Sequence, residues 1–184
     1  LVESAPAPFG VCGEKSICLL TRPENTVVYG LGEKTGGLDK SRAPWKMWNV
    51  DVVADFPHSY WKDDFDPAYV SIPFFISHTD GNFYGVYLDN PFATFFHLGL
   101  DPEKTYLIPP ARQRKPDEPV LAFGAEEGLF EFYLIPGPTL ADVVRRFARL
   151  TGVHELPPLW ALGYQQCRWG YKSARGLDEV SEKL

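Results

Sequence analysis

Apolar residues in this chain come in short runs separated by turn residues, and the pattern holds as far as Pro138. Cys18-Leu19-Leu20 and Thr26-Val27-Val28-Tyr29 read as strands, the second ending at Gly30. Gly36-Gly37 opens a long polar loop. Trp45 to Val53 is an apolar run interrupted by Asn49 and Asp51. The stretch 55-DFPHSYWKDDFDPAY-69 is aromatic, acidic and broken by prolines, which predicts a loop. Val70 to Ser77 and Phe83 to Leu88 flank Thr79-Asp80-Gly81-Asn82; an Asp-Gly pair between two such runs is a strong hairpin signal. Ala93–Leu98, Tyr106–Ile108, Val120–Phe123 and Leu129–Ile135 complete the series. The last alternates and then turns continuous, as for a strand buried on both faces. Many short strands at this spacing predict a sandwich or a barrel.

The period changes after Gly137. The segment 139-TLADVVRRFARLTG-152 predicts a helix with Leu140, Val143, Val144, Phe147 and Leu150 on one face. Thr139 suits the N-cap with Asp142 three residues on, and Gly152 suits the C-terminal position. Packing on the sandwich or a neighbouring domain accounts for this helix, and no site is assigned to it. After Pro157-Pro158, Leu159 to Gln166 reads as a strand. Leu177, Val180 and Leu184 then repeat at helical spacing, with Asp178 and Glu179 expected in the first turn. One βα unit has no parallel partner and cannot cover both of its faces, so its expected home is a larger α/β domain.

Composition narrows the classes. The chain has 184 residues, 45% hydrophobic and 23% charged, ordinary for one globular domain or slightly more. No apolar run approaches the ~20 residues of a membrane span. The net charge of −6 argues against nucleic acid as a partner, and the cluster Arg112, Arg114, Lys115 reads as a solvated loop. Leu1 to Gly10 lacks the basic and apolar regions of a signal peptide, although a leader already removed leaves no trace. Cys12, Cys18 and Cys167 form neither a metal pattern nor a disulfide framework, and free thiols are expected over a Cys12–Cys18 pair. A reducing compartment, the cytoplasm, is therefore expected. His58, His78, His97 and His154 show no ligand spacing, and Gly30-x-Gly32 lacks the rest of a phosphate loop. No metal and no cofactor are expected. The aromatic share, 15%, suits sugar stacking as well as a dense core, and the core is the simpler reading.

The run 157-PPLWALGYQQCRWGY-171 resembles the first barrel strand of glycoside hydrolase family 31, the α-glucosidase family. Upstream, 29-YGLGEK-34, 45-WKMWNVD-51, 73-PFFIS-77, 84-YGVYLDN-90, 132-FYLIPGPTLADVV-144 and the LTG at 150–152 follow in the family's order. The resemblance implies a mainly β chain: a galactose-mutarotase-like β-sandwich over 1–138, a linking helix over 139–156, and the first βα unit of a (β/α)8 TIM barrel over 157–184. A full barrel needs about 250 residues, so the chain is expected to be a piece of a longer enzyme.

The implied chemistry is hydrolysis of α-glucosidic bonds with retention, which needs two carboxyls about 5–5.5 Å apart. In the family both are aspartates on later barrel strands, so no catalytic residue is assigned in this chain. Asp63-Asp64-Asp66 and Glu126-Glu127 read as solvated loops or turns. Four residues are expected to bind substrate. Asp51 matches an aspartate on a sandwich loop that hydrogen-bonds a sugar hydroxyl, with Trp48 and Asn49 shaping that loop; a turn-capping role is the alternative. Arg168, Trp169 and Tyr171 stand at the C-terminal end of the first barrel strand, where barrels place their sites. Tyr171 is expected against the sugar ring, or else as a packing aromatic at the rim, and Arg168 is expected to hold a carboxylate. One of Gln165 and Gln166 is expected to point inward with a structural hydrogen bond. The expected partners are an oligosaccharide or glucoside substrate and the remainder of the barrel, with no nucleic acid and no membrane. The competing readings are a stand-alone carbohydrate-binding module and a purely structural sandwich.

Overall fold

In the computed structural model, residues 4–41, 43–50, 69–99, 120–166, 170 and 172–183 are described. The expectations for Tyr106–Ile108, His58, Asp63-Asp64-Asp66 and the Arg112–Lys115 cluster lie outside them, as do most of 55–69. The chain divides into two compact units, Leu1–Thr151 and Gly152–Leu184.

The first unit holds two antiparallel sheets. One is built from β1 (Ser4–Cys12), β2 (Lys15–Thr21), β4 (Pro44–Met47), β7 (Thr94–His97) and β8 (Val120–Ala125), in the order β1-β2-β8-β7-β4. The other is built from β3 (Val27–Gly32), β5 (Ser71–Thr79), β6 (Asn82–Leu88) and β9 (Phe132–Gly137), in the order β3-β5-β6-β9. The Asp-Gly signal is realised as a two-residue hairpin that pairs Thr79 with Asn82, with φ 48° at Asp80 and 81° at Gly81. Both central residues need positive φ in the turn whose twist matches the strands, and Asp and Gly tolerate it.

Alternation along each strand sends one set of side chains between the sheets. Cys18, Leu20, Trp45, Met47, Phe96, Leu121 and Phe123 of the first sheet meet Val28, Phe75, Val86 and Leu88 of the second in one buried cluster. Phe75 sits edge-on to Phe96 and Phe123, with ring centroids 5.8 and 6.2 Å apart. That geometry suits the ring quadrupoles. The other face of the first sheet carries its own buried cluster, Ile17, Leu19, Phe95, Val120 and Ala122.

The outer face of the second sheet is covered by α1 (Leu140–Thr151). Val143 and Phe147 pack on Phe74, Ile76 and Ile135, with Phe147 stacked on Phe74 at 3.9 Å between centroids. Gly85 permits the approach: a Cβ there would stand 2.6 Å from Phe74 and 2.9 Å from Val143. The expected cap is present. The Thr139 hydroxyl donates to Asp142 Oδ2 at 2.7 Å and accepts from the Asp142 N–H at 3.2 Å. Gly152 follows the helix at φ 96°. The apolar face is narrower than its periodicity predicts, because Leu140, Val144 and Leu150 are exposed.

Other expectations need correction. β9 begins at Phe132 rather than Leu129 and is not buried on both faces, since Leu134 is exposed; it is an edge strand. β1 was not foreseen as an element: Pro6 and Pro8 argue against an interior strand. It lies at an edge with a register irregularity between Ser4 and Phe9, where a missing N–H is tolerated. In the second unit, Leu159–Leu162 is a 3-10 helix and not the start of a strand, and no strand occurs among the described residues there. A strand needs a neighbour to pair with, and none is supplied locally. The final helix, α2 (Ala174–Ser181), starts earlier than the Leu177 repeat suggested. Its N-cap is Ser173, whose Oγ accepts from the Gly176 N–H at 3.1 Å, so Asp178 and Glu179 fall past the first turn. Among the described residues no helix is long and apolar enough to cross a membrane.

Candidate functional site

Asp51, Arg168, Trp169 and Tyr171 lie outside the described residues. Gly170, between Trp169 and Tyr171, has φ 133°, a backbone conformation that only glycine adopts readily. Gln165 and Gln166 make local contacts: Gln165 Nε2 reaches the Trp160 carbonyl at 3.5 Å, and the Tyr164 hydroxyl donates to Gln166 Oε1. The described residues that flank the Asp51 segment in sequence, 46–49 and 69–71, are tied to one another, and polar contacts concentrate there.

The anchor begins at YGLGEK. Gly30, Leu31 and Gly32 all have positive φ, at 113°, 71° and 81°, and the β3–β5 register shifts between Gly30 and Gly32. A Cβ on Gly30 would stand 2.6 Å from the Phe74 carbonyl oxygen, and one on Gly32 would stand 2.6 Å from that of Val70. Only glycine fits either position. The bulge drives Leu31 into the core, where it is fully buried, and turns Glu33 and Lys34 toward the ends of β4 and β5. The Glu33 N–H donates to the Val70 carbonyl at 2.8 Å, and Glu33 Oε2 accepts from the Tyr69 N–H at 3.2 Å.

Lys34 is 9% exposed, and its ammonium donates to the Lys46 carbonyl at 2.8 Å and to Ser71 Oγ at 3.3 Å. Ser71 Oγ also accepts from the Trp48 N–H at 3.1 Å and donates to the Trp48 carbonyl at 3.4 Å. The Ser71 N–H donates to Asn49 Oδ1 at 2.8 Å. Residues 46–49 and 69–71 are thus tied together just before the chain reaches Asp51 and just after it returns. That bond ties Asn49 to the start of β5; the loop it was expected to shape lies outside the described residues. Trp48 is half-exposed, with the Lys46 ammonium over its ring at 5.2 Å from the centroid.

The polar loop after Gly36 completes the support, and the sequence pattern gave no hint of its buried charges. Lys40, 7% exposed, donates to the carbonyls of Lys34 and Thr35 at 3.0 and 2.9 Å and lies over the Trp45 ring. Burial, then the charge of Lys34, pushes its pKa below the usual lysine value. The Trp45 indole N–H donates to the Lys40 carbonyl at 2.8 Å. Asp39 accepts from the N–H groups of Val28 and Ser41 at 3.1 and 3.0 Å and from the Ser41 hydroxyl at 2.8 Å. Burial pushes the Asp39 carboxyl up. The Ser41 and Val28 amides, the Ser41 hydroxyl and the charge of Arg22 outweigh it and hold the carboxyl below the ordinary range. The one signal that could have pointed here was the pair of glycines bracketing Leu31.

Elsewhere the chemistry is structural. Glu126 and Glu127 lie in a turn where the Glu126 N–H donates to Ala93 and the Glu127 carbonyl accepts from Asn90 Nδ2. His78 stacks on Phe83, with centroids 4.3 Å apart. Cys18 is a free, buried thiol, and burial pushes its pKa to about 11. Among the described residues no three His, Cys, Asp or Glu side chains converge as a metal ion requires.

A two-sheet sandwich with a helix on one outer face, followed along the chain by a second unit, defines the class, and comparison with known proteins agrees. Residues 12–97 match the glycosyl hydrolase 31 N-terminal galactose mutarotase-like domain, and residues 154–184 match the glycosyl hydrolase family 31 TIM-barrel domain. The chain belongs to glycoside hydrolase family 31. It is 36% identical over 165 residues to alpha-glucosidase 2 of Bacillus thermoamyloliquefaciens, covering 90% of this chain and 18% of that protein. It is 36% identical over 144 residues to an alpha-glucosidase of Saccharolobus solfataricus, covering 78% of this chain and 18% of that protein. A Flavobacterium johnsoniae GH31 dextranase, solved with isomaltotriose, superposes with a TM-score of 0.77 at 27% identity over 98% of this chain and 19% of its own. The chain therefore spans about a fifth of the length of the relatives it matches.

Proposed function

We propose that these residues belong to a retaining α-glucosidase-type hydrolase that cleaves α-glucosidic bonds in oligosaccharides, with both catalytic carboxylates outside this chain. The observation that carries the reading is the pairing, in order, of the family's sandwich and barrel matches in a chain 36% identical to alpha-glucosidases. The exposed apolar residues of the second unit support it: Leu156, Leu159, Trp160, Leu162 and Tyr164 are 70–95% exposed. Such a surface needs cover, and the remaining strands and helices of a barrel would supply it.

Asp51 is the sandwich's contribution to the substrate pocket. A carboxylate accepts protons from two adjacent sugar hydroxyls, and the anchored stems around it hold the approach of the chain fixed. Tyr171 and Trp169 offer ring faces to the sugar, and Arg168 holds a carboxylate at the barrel mouth. The bound ligand is an oligosaccharide or glucoside. The free thiol of Cys18 suits a reducing compartment, so the cytoplasm is proposed, to be checked by fractionating the source cells.

The test is an assay on aryl α-glucosides. The 184-residue chain should show no turnover, whereas the enzyme with the complete barrel should release α-glucose, with retention seen by proton NMR. Turnover by the chain alone, or inversion by the complete enzyme, would sink the reading. Asp51→Asn in the complete enzyme should raise KM about tenfold or more, the cost of losing a hydrogen bond to a charged group.

A further inference from the structure

We propose that a cavity at the hairpin end of the first unit binds a short oligosaccharide of α-linked glucose. The cavity has a volume of about 540 Å³, in the range of small-molecule sites. It is bounded by the end of β2, the β5–β6 turn, the end of β9 and Arg146 of α1. β5 runs from Ser71 to Thr79, so the cavity stands roughly 26 Å along that strand from the polar contacts of Ser71. Local sequence makes the rim. Gly137 lets α1 close in, because a Cβ there would stand 2.7 Å from Val143. Arg146, three residues on, then donates from Nη1 to the Pro136 carbonyl.

The lining decides the class of ligand. Phe83 and three prolines supply carbon surface, and the stacked His78 holds the Phe83 ring. Among them stand the hydroxyl-bearing Thr79, the Asn82 amide, the Arg146 guanidinium and one carboxylate, Asp80. The polar groups are fixed before any ligand arrives, which lowers the cost of binding. Thr79 Oγ1 is bonded to Thr26 Oγ1 at 2.8 Å. Asn82 Nδ2 donates to the carbonyls of Thr79 and Asp80 at 3.3 and 3.4 Å, which leaves its Oδ1 to accept. An anion would gain one cation and meet a carboxylate of its own sign. A wholly apolar ligand would strip water from the amide, hydroxyl and guanidinium without bonding them. A sugar satisfies both kinds of surface: its C–H faces suit ring carbon, and its hydroxyls both donate and accept. The sugar class is argued from the cavity, whereas α-linked glucose in particular rests on the proposed activity.

The experiment is hydrogen exchange on the complete enzyme, titrated with maltotriose whose linkages carry sulfur in place of oxygen so that it is not cleaved. The amides of residues 80–84 should slow about tenfold at ten times the half-saturating concentration. Arg146→Ala should raise that concentration about tenfold, the loss of bonds from a charged donor, and Asn82→Ala about threefold. Arg149→Ala, in the last turn of the same helix and outside the lining, should stay within about twofold of the parent. No slowing at residues 80–84 up to about 10 mM ligand overturns the inference. Half-saturation unchanged in both Arg146→Ala and Asn82→Ala overturns it too, and so does slowing by inorganic sulfate where the oligosaccharide gives none. If Arg146→Ala fails to fold, Asn82→Ala decides by the same criterion. Turnover of an aryl α-glucoside is measured on the same preparation. Turnover without slowing at residues 80–84 removes the cavity site and leaves the proposed activity standing; slowing without turnover supports the site and removes the activity.

Discussion

The two units of this chain use the same kinds of residue to opposite effect. Between the sheets of the first, Phe75, Phe96 and Phe123 are fully buried and touch one another. In the second, Leu156, Leu159 and Trp160 are 95%, 85% and 75% exposed. The difference lies in where the complementary surface comes from. Strands of the sandwich find their partners through antiparallel pairing within the first unit, and both faces of the second sheet are covered, by the first sheet and by α1. A barrel strand needs parallel neighbours that arrive only after a full crossover, so its apolar residues have nothing to pack on until they do. Hydrophobic pattern specifies structure only where its complement is within reach.

The sharpest way to break the contrast is to remove the first unit's self-sufficiency. Gly32→Val places a Cβ 2.6 Å from the Val70 carbonyl oxygen and 2.8 Å from the Ile72 nitrogen at φ 81°. Both neighbours are backbone and cannot give way cheaply. The expected loss is about 4 kcal/mol or more, combining a positive-φ penalty with overpacking. Urea denaturation of the chain reads it directly. A midpoint unchanged from the parent would mean that the bulge is soft and that the anchor it supports is not fixed.

Asp39→Ala comes next. It strips the acceptor from the Val28 and Ser41 N–H groups and should cost about 2 kcal/mol at pH 7. The sign of the pH effect follows from the carboxyl being held below its unfolded value. The charged form is favoured in the native state, so its contribution is complete above the ordinary carboxylate pKa. It is lost as pH falls through the native one. The gap in urea midpoint between parent and variant should therefore be constant from pH 7 to about 5 and close below about pH 4. A gap that shows no narrowing as the pH falls below about 4 would assign the effect to packing instead of charge.

Much of the first unit was legible because its signals are local. The Asp80-Gly81 turn fixes a hairpin register by its own backbone preference, and Thr139 with Asp142 marks a helix start by hydrogen bonds three residues apart. What could not be read is non-local. β1 looks unlike a strand because of Pro6 and Pro8, and its assignment depends on β2 lying beside it at an edge. The buried ammonium groups of Lys34 and Lys40 look like ordinary loop charges until carbonyls from residues 34, 35 and 46 converge on them. Leu159 to Gln166 has the composition of a strand but lacks a neighbour to make it one, and Leu159–Leu162 closes into a 3-10 turn. For the candidate site, the motif 45-WKMWNVD-51 was legible as a likeness, whereas the Lys34–Ser71 junction was not, because its members are 37 residues apart.

A smaller effect separates local from non-local support inside the first unit. Thr139→Ala removes the cap of α1 but leaves Val143 and Phe147 packed on the sheet. The expected cost is about 1 kcal/mol, read as a lower melting temperature of the chain, with Thr139→Ser restoring most of it. A loss several times larger would show that the cap holds more than one turn of helix, and that α1 depends less on its packing than the buried Val143 implies.

The smallest expected change is the most informative about the comparison. Trp160→Ser deletes a large side chain that is 75% exposed, while the bonds that use Trp160, from the Gly163 N–H and Gln165 Nε2, go to its carbonyl and survive. In the 184-residue chain the melting transition should move by no more than the equivalent of about 0.5 kcal/mol. In the enzyme with its complete barrel the same substitution should cost about 3–5 kcal/mol, because the indole then faces a filled interior and its loss leaves a cavity. The prediction is the difference between two measurements of one substitution, so an exposed tryptophan that simply does not matter gives near zero in both. A substantial loss already present in the short chain would mean that the second unit covers its own apolar face, and the barrel would no longer be needed to explain it.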